Sequence, residues 1–115
     1  MKKPTQKWLR LIDSKEQEIR RGSLLRCPAQ YPYESIVEFM VFEANDSERG
    51  LGLMISSGYK AGLTLVILPF ESRPEGKSGL MTQWLINHWQ TWVYPEANVN
   101  EVWLTENWKT PKQPK

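Results

Sequence analysis

One stretch limits the fold more than any other. On a helical wheel Leu80, Met81, Trp84, Leu85, Ile86, Trp89, Trp92 and Val93 fill slightly more than half the circumference, with Gln83, Asn87, Gln90 and Thr91 opposite. So wide an apolar arc cannot stay in water and needs a sheet to lie on. Pro95 sets its end near Val93, and Ser78 is a candidate N-cap, which places the helix at about 79–93.

The sheet is written upstream. In Ser35 to Phe42, Val37, Phe39 and Val41 form one apolar face, and Ile36, Glu38, Met40 and Phe42 the other. One face belongs to the core; the second is either covered or presented to a partner. The polar stretch from Glu43 to Gly50 leads into a second strand from Leu51 to Ser56. The turn Ser57–Gly62 then leads into Leu63–Leu68, closed by Pro69. These three strands form an antiparallel meander. Ser23–Cys27 and Val102–Leu104 read as short additional strands. Trp8, Leu11, Ile12 and Ile19 fit a helical stripe, although Trp8 to Ile12 also fits alternation; the reading leans to helix. The expected fold is therefore α+β: an antiparallel sheet of four to five strands with one long helix packed on one face. Residues 1–109 are expected to form a single domain and 110–115, with two prolines and no large apolar side chain, a flexible tail.

Composition removes much of the chemistry. With one Cys and one His among 115 residues there is no disulfide framework and no Cys/His zinc site. No secretory apolar core follows Met1-Lys2-Lys3, and no apolar run is long enough to span a bilayer. With Cys27 unpaired, the expected compartment is the cytoplasm. His88 falls inside the apolar arc, where a packed residue is expected rather than an acid–base catalyst. Cys27 lacks the local signatures of cysteine enzymes. Gly76-Lys77-Ser78 imitates part of a phosphate-binding loop, but Glu71 stands where its first glycine belongs. Asn45–Glu48 hints at a calcium loop without the full pattern. Trp84, Trp89 and Trp92 read as core filling, and Trp108 as the tryptophan most open to solvent. No enzyme, metal or cofactor is expected; by exclusion the chain is a binding protein.

Charge is unevenly spread. The net charge is +2, but the first 30 residues carry eight basic and three acidic groups, and the rest carry seven and ten. Glu34, Glu38, Glu43, Asp46 and Glu48 occupy a stretch free of bases. One reading is a dipolar solvated surface; the other is an acidic face for a basic partner.

The chain also resembles a known family. The string Gly52–Leu63 leads into Leu65–Pro69 and Glu71-Ser72, and is followed by Trp84–Asn87, Trp89, Trp92, Tyr94 and Pro95. Together with Arg21-Gly22-Ser23 and Tyr31–Ser35, these residues resemble bacterial immunity proteins of polymorphic toxin and contact-dependent growth inhibition systems, over about residues 20–105. The resemblance implies a cytoplasmic α+β protein that binds and neutralises one cognate toxin domain, without catalysis. It carries over no toxin-binding residue, because the matching positions look structural.

The expected partner is the C-terminal domain of a cognate toxin, with no membrane involved. A nuclease is the expected toxin, because such domains carry Lys and Arg for phosphate. Glu34, Glu38, Glu43, Asp46, Glu48 and Tyr59 are the candidate toxin-binding residues, with Met40 and Phe42 as apolar anchors if exposed. The alternatives are a nucleic-acid-binding module built on the basic N-terminal third, against which the near-neutral charge argues, and a hydrolase centred on His88.

Overall fold

The structure, a computed structural model, describes residues 7–44 and 50–106. Asp46, Glu48, Trp108, the Asn45–Glu48 stretch and the 110–115 tail therefore lie outside the described residues.

The sheet strands are β1 (Leu9–Arg10), β3 (Leu24–Pro28), β4 (Ile36–Glu43), β5 (Leu51–Ile55), β6 (Thr64–Ile67) and β8 (Trp103–Thr105). They form one antiparallel sheet in the order β1-β8-β3-β4-β5-β6. A separate two-stranded ladder joins β2 (Glu18–Ile19) to β7 (Leu80–Met81). In the meander β4-β5-β6, β4 follows the period-two pattern, with Val37, Phe39 and Val41 fully buried, whereas β5 is buried on both faces and its pairing with β6 has a register irregularity at Leu53/Met54. The sheet has six strands rather than four to five, because the chain's N-terminal part adds β1 to an edge.

That N-terminal part is not a helix. Leu9 and Arg10 pair with Leu104 and Trp103, Leu11 donates its N–H to the Val102 carbonyl at 2.8 Å, and Leu11–Asp13 makes one 3-10 turn. Leu11 and Ile19 are buried as the stripe suggests, but extended segments deliver them. Pairing with a strand near the opposite end of the chain overrides the local preference.

The helix begins later than Ser78. Leu80 and Met81 pair with Ile19 and Glu18, so α1 spans Thr82–His88 and continues as a π-helical segment, Trp89–Val93. No side chain caps it; the Thr82 N–H instead finds the Gln17 carbonyl at 3.0 Å. The Gly79 N–H donates to Glu18 Oε1 at 2.8 Å, and a Cβ at Gly79 would meet the Ile19 carbonyl at 2.9 Å. This close approach is why the ladder has glycine at its mouth. The segment ends at Val93, where Tyr94 N–H closes a bond to the Trp89 carbonyl at 3.1 Å.

Leu85 and Trp89 seat this helix on the inner face of the sheet among Leu25, Phe39, Leu53 and Leu104. The Phe39 and Trp89 rings lie 6.3 Å apart. Trp84 and Trp92 flank the core, half-buried, with ring centroids 6.1 Å apart. The α1 helix and its π-helical continuation lie on this inner face, so Ile36, Glu38, Met40 and Phe42 point to the side opposite the helix.

Candidate functional site: the outer face of the sheet

The acidic stretch does not fold into one patch. Along β4 its side chains are spread over the length of the strand, and antiparallel pairing brings bases to them. Arg26 on β3 stands opposite Glu38, with Nε at 2.9 Å and Nη2 at 2.5 Å from Glu38 Oε2. Glu38 keeps only 14% of its side-chain exposure in this pair. At the far end of the strand Glu43 accepts from Arg21 at 3.2 Å, both groups well exposed. Glu38 and Glu43 are thus already partnered within the chain. The stretch looks base-free only along the chain, because its bases come from the neighbouring strand and the turn before it.

Glu34 and Tyr59 are brought together. Glu34 Oε2 accepts the Tyr59 N–H at 3.3 Å, and the Tyr59 hydroxyl donates to the Pro32 carbonyl. Gly58 has φ +71°, and an added Cβ there would run into the Glu34 carboxylate. Glycine therefore sets both the turn and the approach of Glu34. The loop carrying Glu34 is pinned from beneath. Tyr33 packs edge-on against Tyr94 at 5.7 Å, and the Tyr94 hydroxyl accepts the Gln30 N–H at 3.1 Å. Above these anchors Tyr31 is 92% exposed and Tyr59 71% exposed. Two tyrosines held out by a braced loop and turn have the character of contact residues.

Beside them the outer face is concave. A cavity of about 540 Å³ is lined by Trp8, Arg10, Arg26, Pro28, Ile36 and Trp103, with Asn100 and Glu101 also in its wall. The Arg26 guanidinium lies 4.0 Å over the Trp8 ring, so one arginine joins the cation–π stack to the Glu38 ion pair. Trp103 faces Arg26 across the β3–β8 ladder and is 42% exposed; Ile36 is 56% exposed. Met40 and Phe42 share this face and are half-buried. The tryptophans therefore do not all serve the packing of helix on sheet: Trp8 and Trp103 belong to the outer face. The signal was present in Val102-Trp103-Leu104, since burying Val102 and Leu104 turns Trp103 outward.

The groups suspected of chemistry are held in packing roles. The His88 ring stacks on Trp84 at 4.3 Å, and its Nδ1 lies 2.8 Å from the Trp84 carbonyl. Cys27 is buried, and burial, helped by the nearby Glu101 carboxylate, pushes its thiol pKa up to about 12. A thiol so held is a poor nucleophile at neutral pH. Among the described residues no hydrogen bond joins Cys27 to His88, and no group of three or more His, Cys, Asp or Glu could hold a metal ion. Gly76 sits in an exposed turn with φ +87°, and the Gly79 N–H is committed to Glu18, so the Gly76–Gly79 segment does not form a phosphate cradle. Among the described residues no helix is long and apolar enough to cross a membrane.

The comparison with known families decides the class. Residues 11–104 match the family Immunity protein 45. The chain belongs to that family. No curated protein and no solved structure matches it. Membership in Immunity protein 45 makes the chain a bacterial immunity protein, whose general role is to bind and neutralise a cognate toxin. The matched span runs from the 3-10 turn at Leu11 to Leu104 in β8, so it takes in all of the helix and nearly all of the sheet.

Proposed function

We propose that this immunity protein neutralises a nuclease toxin by covering the toxin's basic, nucleic-acid-binding surface, and that it does so in the cytoplasm against the C-terminal domain of a polymorphic or contact-delivered toxin. The family match supports the toxin-neutralising role, and the exposed carboxylates Glu34 and Glu43 support a basic partner. The contact surface is the end of the sheet where Glu34, Tyr31 and Tyr59 project, with Glu38 on the same outer face; Glu43, which alternates to the other side at the far end of β4, flanks it, and Asp46 and Glu48 are proposed with it from sequence alone. Occlusion needs no chemistry from the immunity protein. It needs shape and charge that suit one partner, which also speeds encounter. The carboxylates act unequally: exposed Glu34 and Glu43 are available to a toxin's lysines and arginines, whereas Glu38 supports the surface from below.

The nucleic-acid-binding alternative is weakened, because three of the eight basic residues in the N-terminal third are paired with carboxylates. Arg10, Arg21 and Arg26 are engaged with Asp13, Glu43 and Glu38.

The test is to purify the C-terminal domain of the toxin encoded next to this gene and measure nucleic-acid cleavage with and without the immunity protein. Stoichiometric protection is expected. Combined reversal of Glu34 and Glu43 to Lys should slow association about tenfold at low salt and flatten its salt dependence. A toxin domain that cleaves no nucleic acid, or a reversal variant that associates as the wild type does, contradicts the reading.

A further inference from the structure

We infer that the cavity between Trp8, Trp103 and Ile36 takes an arginine side chain from the toxin's basic surface, its guanidinium stacked on the Trp103 indole and paired with Glu101. The inference rests on the reading that the partner is a basic toxin domain, and it deepens that reading by naming one place where the basic surface is gripped.

Charge selects the occupant. Three ionised side chains line the cavity: Arg10, Arg26 and Glu101. Arg26 is matched at short range by Glu38, and Arg10 at 3.2 Å by Asp13. Glu101 has no lysine or arginine partner among the described residues. With these partners counted, the wall keeps an unmatched negative charge, which favours a cation over an anion. The Glu101 carboxylate is near enough to Cys27, also in the wall, to help raise that thiol's pKa, so its charge bears on the cavity itself.

The chain already shows how such a wall holds a guanidinium. Arg26 lies over the Trp8 ring and gives Nε and Nη2 to Glu38, with an indole beneath it and a carboxylate at its edge. Trp103 and Glu101 offer the same two groups. They flank buried Val102, both are exposed, and no cation of the described residues lies over Trp103. The backbone that carries Glu101 is fixed. In the 3-10 turn Val99–Glu101 the Asn98 side chain accepts the Asn100 N–H at 2.8 Å, and the Glu101 N–H donates to the Asn98 carbonyl at 2.9 Å. Little backbone freedom is therefore lost when a partner arrives. Arginine suits the site better than lysine, because a planar guanidinium stacks on an indole while forking to a carboxylate, whereas an ammonium is a compact, strongly hydrated charge. About 540 Å³ gives room for the guanidinium and for its apolar stem against Pro28 and Ile36. Ile36 adjoins the Glu34–Tyr59 rim along the chain, so rim and cavity can meet one basic surface.

The probe is the same adjacent-gene toxin domain, inactivated and titrated by calorimetry into wild-type protein and four variants, with urea midpoints to report on folding. Glu101→Gln, an isosteric change at an exposed position, is expected to weaken binding about tenfold. Trp103→Leu keeps an apolar wall but loses the aromatic face, and is also expected to weaken it about tenfold. Arg10→Gln, which removes a positive charge from the wall, is expected to bind at least as tightly as wild type; an anionic occupant would bind it more weakly. Glu75→Gln, at an exposed carboxylate outside the wall, is expected to stay within about twofold. Each toxin arginine is then changed to Gln in turn. One of these changes is expected to weaken binding to wild type about tenfold and binding to Glu101→Gln little further. If wild type fails to bind, the proposed function falls. If wild type binds while Glu101→Gln and Trp103→Leu bind as well as Glu75→Gln, or if no toxin arginine couples to Glu101, this inference alone falls. It falls too if Arg10→Gln weakens binding, or if the protein dimerises without toxin and Trp103→Leu abolishes the dimer, since the cavity then serves a second copy.

Discussion

The Arg26–Glu38 pair offers the sharpest test of how the outer face is held. In the intact pair Glu38 keeps 14% of its side-chain exposure and Arg26 38%, so Arg26→Ala strands the more deeply buried charge without a partner among the described residues, while Glu38→Ala strands one that already reaches water. The two costs are therefore unequal. Fully buried pairs lose roughly 3–5 kcal/mol when one partner is removed, and exposed pairs about 0–1 kcal/mol. Arg26→Ala lies between these limits at about 2 kcal/mol, including its loss of the Trp8 stack. Glu38→Ala lies nearer about 1 kcal/mol, because the freed guanidinium hydrates. Replacing both with apolar residues, Arg26→Met with Glu38→Leu, is expected to recover most of the loss, since neither charge is then stranded. Urea unfolding followed by tryptophan fluorescence measures all three. At a slope of about 2 kcal/mol per molar, the Arg26→Ala midpoint drops by about 1 M. Equal midpoints for the two single variants, or a double variant at the sum of their losses, would refute the reasoning.

Four further outcomes follow from the same structure. With its pKa raised from 9.0 to about 12, native Cys27 holds about a thousandfold less thiolate than a free thiol at pH 8, so a thiol-reactive dye labels it slowly and urea accelerates labelling sharply. Because the folded value lies above the unfolded one, this contribution to stability is complete below pH 9 and is lost as pH rises toward 12; burial moves Tyr33 in the same direction, and a urea midpoint that stays flat across that window would contradict both. Leu85→Ala should cost about 3 kcal/mol, whereas Trp89→Phe should cost less, because part of what it deletes is a buried indole N–H with no partner among the described residues; equal urea midpoints would count against that. Gly58→Ala should destabilise by about 1 kcal/mol or more and displace Glu34, visible as weaker toxin binding beyond any change in stability.

The sequence disclosed the parts of the fold that have a local period. The alternation in β4, the two strands after it and the apolar arc around Leu85 and Trp89 each declare their inner face. The pairings β1–β8 and β2–β7 were not legible, because β1, β2 and β7 have two residues each and β8 three, and the partners lie far apart along the chain. The late start of α1 follows from the second of these pairings, which claims Leu80 and Met81 first. Charge was misleading for the same reason: Glu38 is neutralised by a residue twelve positions earlier that only the ladder register brings opposite it. Glu34 and Tyr59 are both candidates on sequence alone, but their contact depends on a turn geometry that Gly58 permits and no periodicity encodes. The outward Trp103 could be read from its neighbours; its meeting with Trp8 and Ile36 around one cavity could not.

The most direct test is hydrogen exchange of the immunity protein alone and in complex with the inactivated toxin domain encoded beside it. Binding through the outer face predicts slowed exchange in Trp8–Arg10, Arg26–Ile36, the turn around Tyr59 and Asn100–Trp103, with Thr82–Val93 unchanged. Slowing confined to Thr82–Val93 or to the Phe70–Ser72 turn, with the outer face exchanging as in the free protein, would contradict it.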